Sequence, residues 1–138
     1  MKKYDAQRQI KRKYVIEQNV LGSGAFGKVF LATSVTDSNF KVAIKALTKK
    51  KIKTELKSIL DEIAIIKELD HPNIVKYYET YQNEEFLYIV MEYCPGGDLF
   101  ELITKKSKGQ ALKESIVADI MYDLLKAINH CHECNVVH

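Results

Sequence analysis

The segment Leu21-Gly22-Ser23-Gly24-Ala25-Phe26-Gly27-Lys28-Val29 places three glycines in a G-x-G-x-x-G spacing. Glycine has no Cβ, so a loop built this way lets backbone N–H groups close on phosphate oxygens. Three kinds of phosphate site use such loops, and the residues that follow separate them. A dinucleotide-binding unit opens a helix at the third glycine. Here Lys28-Val29-Phe30-Leu31-Ala32-Thr33 follows, which reads as a strand. A P-loop needs G-x-x-x-x-G-K-[ST], and Gly22 to Lys28 fits until Val29 stands where a metal-binding hydroxyl belongs. What remains is a glycine hairpin lying over the phosphates of ATP, with Val29 against the adenine and a lysine on the next strand. Val42-Ala43-Ile44-Lys45 supplies that lysine.

Between about Thr54 and Leu69, Leu56, Ile59, Leu60, Ile63 and Ile66 recur at helical spacing. Glu62 lies three residues after Ile59 and four before Ile66, on the same stripe, whereas Asp61 and Glu68 share the flank of Lys57. An inward carboxylate must find a cation or lose its charge, so Glu62 is expected to pair with Lys45. Such a pair gains roughly 4 kcal/mol at an effective dielectric near 20, and desolvation consumes most of that. Its use is positioning rather than stability.

His130, Cys131, His132 and Cys134 are also residues able to do chemistry. A structural zinc site draws its ligands from two separated pairs, but these four crowd into one short segment in which Cys131 continues an apolar helical stripe. No zinc site is expected.

The elements that must carry these groups follow from the pattern. Residues 1–13 are polar and basic without usable periodicity and read as a leader. Tyr14 to about Leu47 is β-branched and aromatic, with turns at Gly22–Gly27 and Thr36–Asn39, which predicts three strands. The amphipathic helix comes next and is ended by His71-Pro72-Asn73. Two further strands are expected over Ile74–Tyr81 and Glu85–Glu92. Pro95-Gly96-Gly97 breaks the chain before a short helix near Asp98–Lys105, with Asp98 as N-cap. Beyond the loop around Gly109, a helix over about Glu114–Cys131 carries Val117, Ile120, Met121, Leu124, Leu125 and Ile128 on one stripe. The fold class is α+β: five strands with one helix inserted, then helices only, in two lobes joined by a hinge.

Composition excludes several function classes. The 138 residues are 46% hydrophobic and 28% charged, with a net charge of +3, which suits one globular domain. The basic runs Lys2, Lys3, Arg8, Lys11, Arg12, Lys13 and Lys49, Lys50, Lys51, Lys53 come with no base-stacking or groove-reading motif, so no nucleic-acid partner is expected. No stretch approaches the about 18–20 apolar residues of a membrane span, and Lys2 stands where N-myristoylation requires glycine. Cys94, Cys131 and Cys134 make no disulfide framework, which suggests a reducing, cytoplasmic setting.

Taken together, LGSGAFGKV, VAIK, LDHPNIV, LYIVMEYCPGGDLF and CHECNVVH resemble a eukaryotic protein kinase over residues 14–138, and the wording is most similar to the calcium- and calmodulin-dependent Ser/Thr group. The resemblance implies an N-lobe over 14–92, a hinge over 93–98 and part of a C-lobe over 99–138. It gives Lys45 the α- and β-phosphates of ATP and Glu62 the task of holding Lys45. Leu21, Val29 and Ala43 would sandwich the adenine. Met91 would be the gatekeeper, with Val75 behind it or simply in the core. The backbone of Glu92 and Cys94 would meet the adenine edge, and Asp98 the ribose. His132 would be a packing residue, and His138 would open the catalytic loop. The proton-accepting Asp and the Asn and Asp that hold Mg²⁺ do not occur in the chain. The implied activity is transfer of the ATP γ-phosphoryl to a protein Ser or Thr. The alternative is a catalytically inactive module that binds nucleotide or protein.

Two local consequences follow. Lys113 stands where a Ser or Thr cap is common, so the last helix starts weakly. Its six stripe residues, left uncovered, forfeit about 1.5–3 kcal/mol each. That half of the chain is expected to be sticky by itself.

Overall fold

The computed structural model describes residues 6–106 and 110–137; Lys2, Lys3, Gly109 and His138 lie outside the described residues. The chain divides into two compact units, one comprising residues up to Glu68 together with Val75–Tyr93, the other Leu69–Ile74 with the residues from Cys94 onward.

The first unit is built on a five-stranded antiparallel sheet of β1 (Tyr14–Ser23), β2 (Gly27–Ser34), β3 (Lys41–Thr48), β4 (Tyr77–Gln82) and β5 (Phe86–Glu92), in the order β1-β2-β3-β5-β4. Strand residues alternate between faces, and here both faces are covered. On one, Val42, Ile44, Tyr88 and Val90 pack with Ala32 and Tyr14. On the other, Leu47, Leu87 and Ile89 pack with Ile52 and with Ile63 of helix α2 (Leu56–Lys67). Side chains as fully buried as Val42, Ile44, Leu87 and Val90 contribute about 1.5–3 kcal/mol each.

The turns are made by the residues that suit them. Asp37 accepts the Asn39 N–H at 2.9 Å between β2 and β3. Asn83 Oδ1 accepts the N–H groups of Glu85 and Phe86 at 2.9 and 2.7 Å between β4 and β5. Such side chains mimic a backbone turn. β4 starts later than the sequence predicts. His71 and Ile74 close a turn (Ile74 N–H to His71 O, 3.1 Å) and Asn73 N–H donates to His71 Nδ1, so the chain becomes a strand only at Tyr77.

The leader needs correcting. Residues Ala6–Lys13 form helix α1, whose Ala6 and Ile10, one turn apart, are buried in the same cluster as Val42, Ile44 and Val90. Gln7 donates to the Tyr88 hydroxyl at 3.0 Å, and Val35 N–H bonds Lys13 O at 2.8 Å. Lys11, Arg12 and Lys13 occupy the last turn, where cations complement the helix dipole. Two apolar positions in eight residues are too few to show a period, yet Ile10 is wholly buried.

In the second unit, the Asp98 carboxylate caps α3 (Leu99–Glu101), accepting the Glu101 N–H at 2.7 Å. The chain runs on through one π turn at Leu102–Lys106 instead of the regular helix expected to Lys105. Helix α4 spans Glu114–Glu133 and has Lys113 at its N-cap with no side-chain hydrogen bond. It ends in a Schellman arrangement: Val136 N–H reaches Cys131 O at 2.8 Å and Asn135 N–H reaches His132 O at 3.0 Å, while Asn135 takes the left-handed φ of 57°.

Candidate nucleotide-binding site

β1 and β2 pair as far as Ser23 opposite Lys28, which leaves Gly24, Ala25 and Phe26 as the hairpin tip. Gly24 N–H closes the tip on Gly27 O at 2.9 Å, and Phe26 O accepts Thr48 N–H at 3.0 Å, mooring it to β3. The three glycines divide into two kinds. A Cβ on Gly27 would run into the Ala46 carbonyl of β3, so the fold itself demands this glycine. A Cβ on Gly22 or Gly24 would meet no atom within 4 Å, and neither residue has a left-handed φ. Nothing inside the protein asks for glycine at these two positions.

The register puts the expected contacts on one face. Val29 lies opposite Lys45 and Leu31 opposite Ala43, and across the next pair Ala43 faces Met91 and Lys45 faces Ile89. Val29, Ala43, Lys45 and Met91 therefore share the face on which α2 packs, and Lys28 falls on the other. Ser23, Ala25, Phe26 and Leu21 are exposed along the hairpin, and Lys45 is exposed as well.

Glu62 is not where the helical stripe put it. It is exposed, the buried residue being its neighbour Ile63. Among the described residues Lys45 and Glu62 form no ion pair. Glu62 acts instead beside Tyr77, where burial, and then the Glu62 charge, push the phenol up from its ordinary value. Stripe membership fixes a residue's angle on its own helix. It does not fix how the helix is rotated against the sheet, and a residue at the stripe's edge is decided by that rotation.

At the end of β5, Glu92 is clasped to residue 76. Its N–H donates to Lys76 O at 2.8 Å, and its Oε2 accepts Lys76 N–H at 3.1 Å. The Glu92 backbone N–H is therefore already engaged within the protein. Val75 is exposed and precedes β4. Cys94 and Asp98 belong to the second unit. Cys94 is an exposed free thiol, and Asp98 spends one carboxylate oxygen on its cap, leaving the other as an acceptor. Among the described residues no group of three or more His, Cys, Asp or Glu could hold a metal ion.

A cluster that sequence reasoning missed ties α1 to β4. Lys13 Nζ meets Glu79 Oε2 at 2.7 Å and the Tyr14 hydroxyl donates to Glu79 Oε1 at 2.7 Å, with Lys13 5.8 Å from the centre of the Tyr81 ring. Burial alone would raise the Glu79 carboxyl; the hydrogen bonds from Lys13 and Tyr14 outweigh it and hold the group below its ordinary value. The partners lie 65 and 66 residues apart, beyond any periodicity.

The family model described as "Protein kinase domain" matches residues 15–138. The chain belongs to the protein kinase domain family. This kinase domain is 40% identical over 129 residues to calcium/calmodulin-dependent protein kinase type 1 of Caenorhabditis briggsae, covering 94% of the chain and 35% of that protein. It is 39% identical over 125 residues to calcium-dependent protein kinase 5 of Plasmodium falciparum (isolate 3D7), covering 91% of the chain and 21% of that protein. Among solved structures it resembles Rad53 1-466 in complex with AMP-PNP, with a TM-score of 0.78 and 29% identity over 94% of this chain and 33% of that one. The kinase domain thus spans about a fifth to a third of the length of these proteins. No helix among its described residues is long and apolar enough to cross a membrane.

Proposed function

We propose that the chain is the nucleotide-binding part of a Ser/Thr protein kinase and grips ATP beneath the β1–β2 hairpin. The observation that carries this is the pair of glycines, Gly22 and Gly24, whose missing side chains serve no contact within the protein, together with Lys45 directly across from Val29. In this reading the hairpin N–H groups face phosphate oxygens, as in other glycine-rich nests. The Lys45 ammonium offsets their charge, and Leu21, Val29, Ala43 and Met91 keep water from the base. The Glu92 carbonyl and Cys94 N–H take the adenine edge, and the free Asp98 oxygen the ribose. ATP supplies the phosphoryl group and a protein Ser or Thr hydroxyl receives it, in a cytoplasmic setting. Glu62 can hold Lys45 only if α2 turns from its position here.

The 138 residues include neither the proton-accepting Asp nor the magnesium ligands of the family. A positioned proton acceptor contributes about 10²–10⁴ in rate, so this chain by itself is expected to bind nucleotide without transferring phosphate. Isothermal titration with the ATP analogue AMP-PNP tests the grip. Lys45→Met should weaken binding about tenfold or more, ~1.4 kcal/mol. Gly24→Ala should weaken it with little change in melting temperature, because the added Cβ meets no protein atom within 4 Å. Unaltered affinity in both variants would overturn the reading. In a chain extended through the catalytic loop, Lys45→Met should abolish transfer.

A further inference from the structure

The end of α4 and its C-cap hold Cys131-His132-Glu133-Cys134, two thiols separated by two residues, and kinase-domain chemistry gives neither a task. Residues three apart on an α-helix have Cα atoms about 5 Å apart, from the 1.5 Å rise and 2.3 Å radius. That falls within the roughly 4.4–6.8 Å a disulfide spans. The turn is held by its backbone: Cys134 N–H bonds Cys131 O at 3.1 Å, and Val136 N–H bonds the same carbonyl at 2.8 Å. A third group completes the cluster. His130 Nε2 lies 3.8 Å from Cys134 Sγ, and the His130 ring packs on that of His71, centroids 5.0 Å apart and tilted by 32°. Cys134 is exposed and Cys131 half-buried, and both are free. These residues do not make a metal site.

We infer that Cys131 and Cys134 form a peroxide-oxidised dithiol site, with Cys134 as the attacking thiol, His130 as its proton acceptor and Cys131 as the resolving thiol. With the His130 proton on Nδ1, Nε2 takes the Cys134 proton. The thiolate attacks one oxygen of hydrogen peroxide, the O–O bond breaks, and the departing hydroxide collects the proton from His130 and leaves as water. Cys134 is now a sulfenic acid. The Cys131 sulfur attacks the Cys134 sulfur, its proton joins the departing hydroxyl as a second water, and the S–S bond closes. Two thiols lose two electrons and the peroxide is reduced to two waters. The imidazole places a base within reach of the Cys134 sulfur. Intracellular disulfides of this kind are transient and redox-sensing.

The whole chain carries its own control, since Cys94 is exposed and has no imidazole contact among the described residues. Hydrogen peroxide added to the reduced protein should lower the titratable thiols from three to one. The monomer should lose the mass of two hydrogens, and peptide mapping should link Cys131 to Cys134. In Cys131→Ser, dimedone should trap a sulfenic acid at Cys134 and no disulfide should form. His130→Phe keeps a ring against His71 but no base, and should slow Cys134 oxidation about a hundredfold, the low end of what a positioned proton acceptor contributes. Cys94 oxidation in that variant should be unchanged, which separates loss of the base from unfolding. Equal oxidation rates at Cys94 and Cys134, disulfides only between molecules, or an unaltered rate in His130→Phe would each overturn the proposal.

Discussion

The two units of this chain solve the problem of burial to very different degrees. Among the described residues, fourteen of the sixteen buried hydrophobic ones belong to the sheet unit, and the helical unit contributes Leu69 and Ala127. Large apolar side chains left exposed among the described residues divide almost evenly, nine in the sheet unit and ten in the helical unit, although the helical unit is the smaller of the two. Leu99, Phe100, Ile103, Ile116, Val117, Met121, Tyr122, Leu124 and Leu125 all belong to the helical unit. A sheet sandwiched between α1 and α2 covers both its faces with its own sequence. A long amphipathic helix cannot do this alone, because its stripe needs another element to lie on it.

Matched truncations sharpen that contrast most. Ile44 is 1% exposed at the centre of the sheet, and Ile44→Ala should cost about 2–5 kcal/mol in urea or thermal unfolding, as large-to-small core changes do. Leu125 is 57% exposed on α4, and Leu125→Ala should change stability by less than about 0.5 kcal/mol. The paired change Leu124→Gln with Leu125→Gln should reduce binding of a hydrophobic dye while leaving the melting of the sheet unit in place. Equal losses from Ile44→Ala and Leu125→Ala would mean that α4 is packed as well as the sheet, and the contrast would fall.

The same contrast sets what was legible in the sequence. Strands β1, β2, β3 and β5 follow from β-branched and aromatic runs bounded by turn signals, the composition that a sheet packed on both faces calls for. The glycine hairpin and the strand that carries Lys45 were legible because glycines mark the tight turn between two β-rich runs. Residue pairs whose geometry depends on how two elements dock were not. Glu62 sits at the edge of the α2 stripe, where the helix's rotation against the sheet decides whether it faces Lys45 or Tyr77. The Lys76–Glu92 clasp and the Lys13–Tyr14–Glu79 cluster join residues distant in sequence. Helix α1 was hidden because Ile10, with Ala6, makes too short a stripe to show against four basic neighbours. Its burial is a property of the surface it lands on, which no local pattern records.

Within the sheet unit, the attachment of α1 should respond to pH in a way that the helical unit does not share. Glu79 is held below its ordinary value of 4.5, so its contribution is present above that value and is lost as pH falls through the lowered one. Tyr14 is pushed up from 10.0, by burial first and then by its hydrogen bond to Glu79, and Lys13 is pushed up from 10.5 by Glu79. For both, the folded state keeps its proton longer, so stability is present below these values and is lost as pH rises beyond them. Melting temperature should hold between about pH 5 and pH 10 and fall on either side. Removing the Tyr14 hydroxyl in Tyr14→Phe deletes a bond to a charged acceptor and should cost about 1.5 kcal/mol at neutral pH. It should also shallow the acid limb. An acid limb of unchanged slope in Tyr14→Phe would show that Glu79 does not govern it.

The smallest expected effect lies in the helical unit, at the one place where its backbone is fully specified. Asn135 has a φ of 57° and is the only non-glycine residue with positive φ among the described residues. Asn tolerates this conformation better than other side chains because it can hydrogen-bond locally. Ala in the same place meets the Cβ–carbonyl crowding of the left-handed region, worth about 1 kcal/mol. Gly avoids the crowding but loses more chain entropy on ordering, so the two terms offset to within a few tenths of a kcal/mol. Hydrogen exchange at the Val136 amide, which closes the turn on Cys131 O, reads this directly. Exchange should quicken about fivefold in Asn135→Ala and stay close to the parent in Asn135→Gly. The global melt should barely move in either variant, because α4 unfolds at its end without disturbing the sheet. If Asn135→Ala instead lowered the melting temperature as far as Tyr14→Phe, the helix terminus would be coupled to the core, and the two units could not be treated as unequal partners in stability.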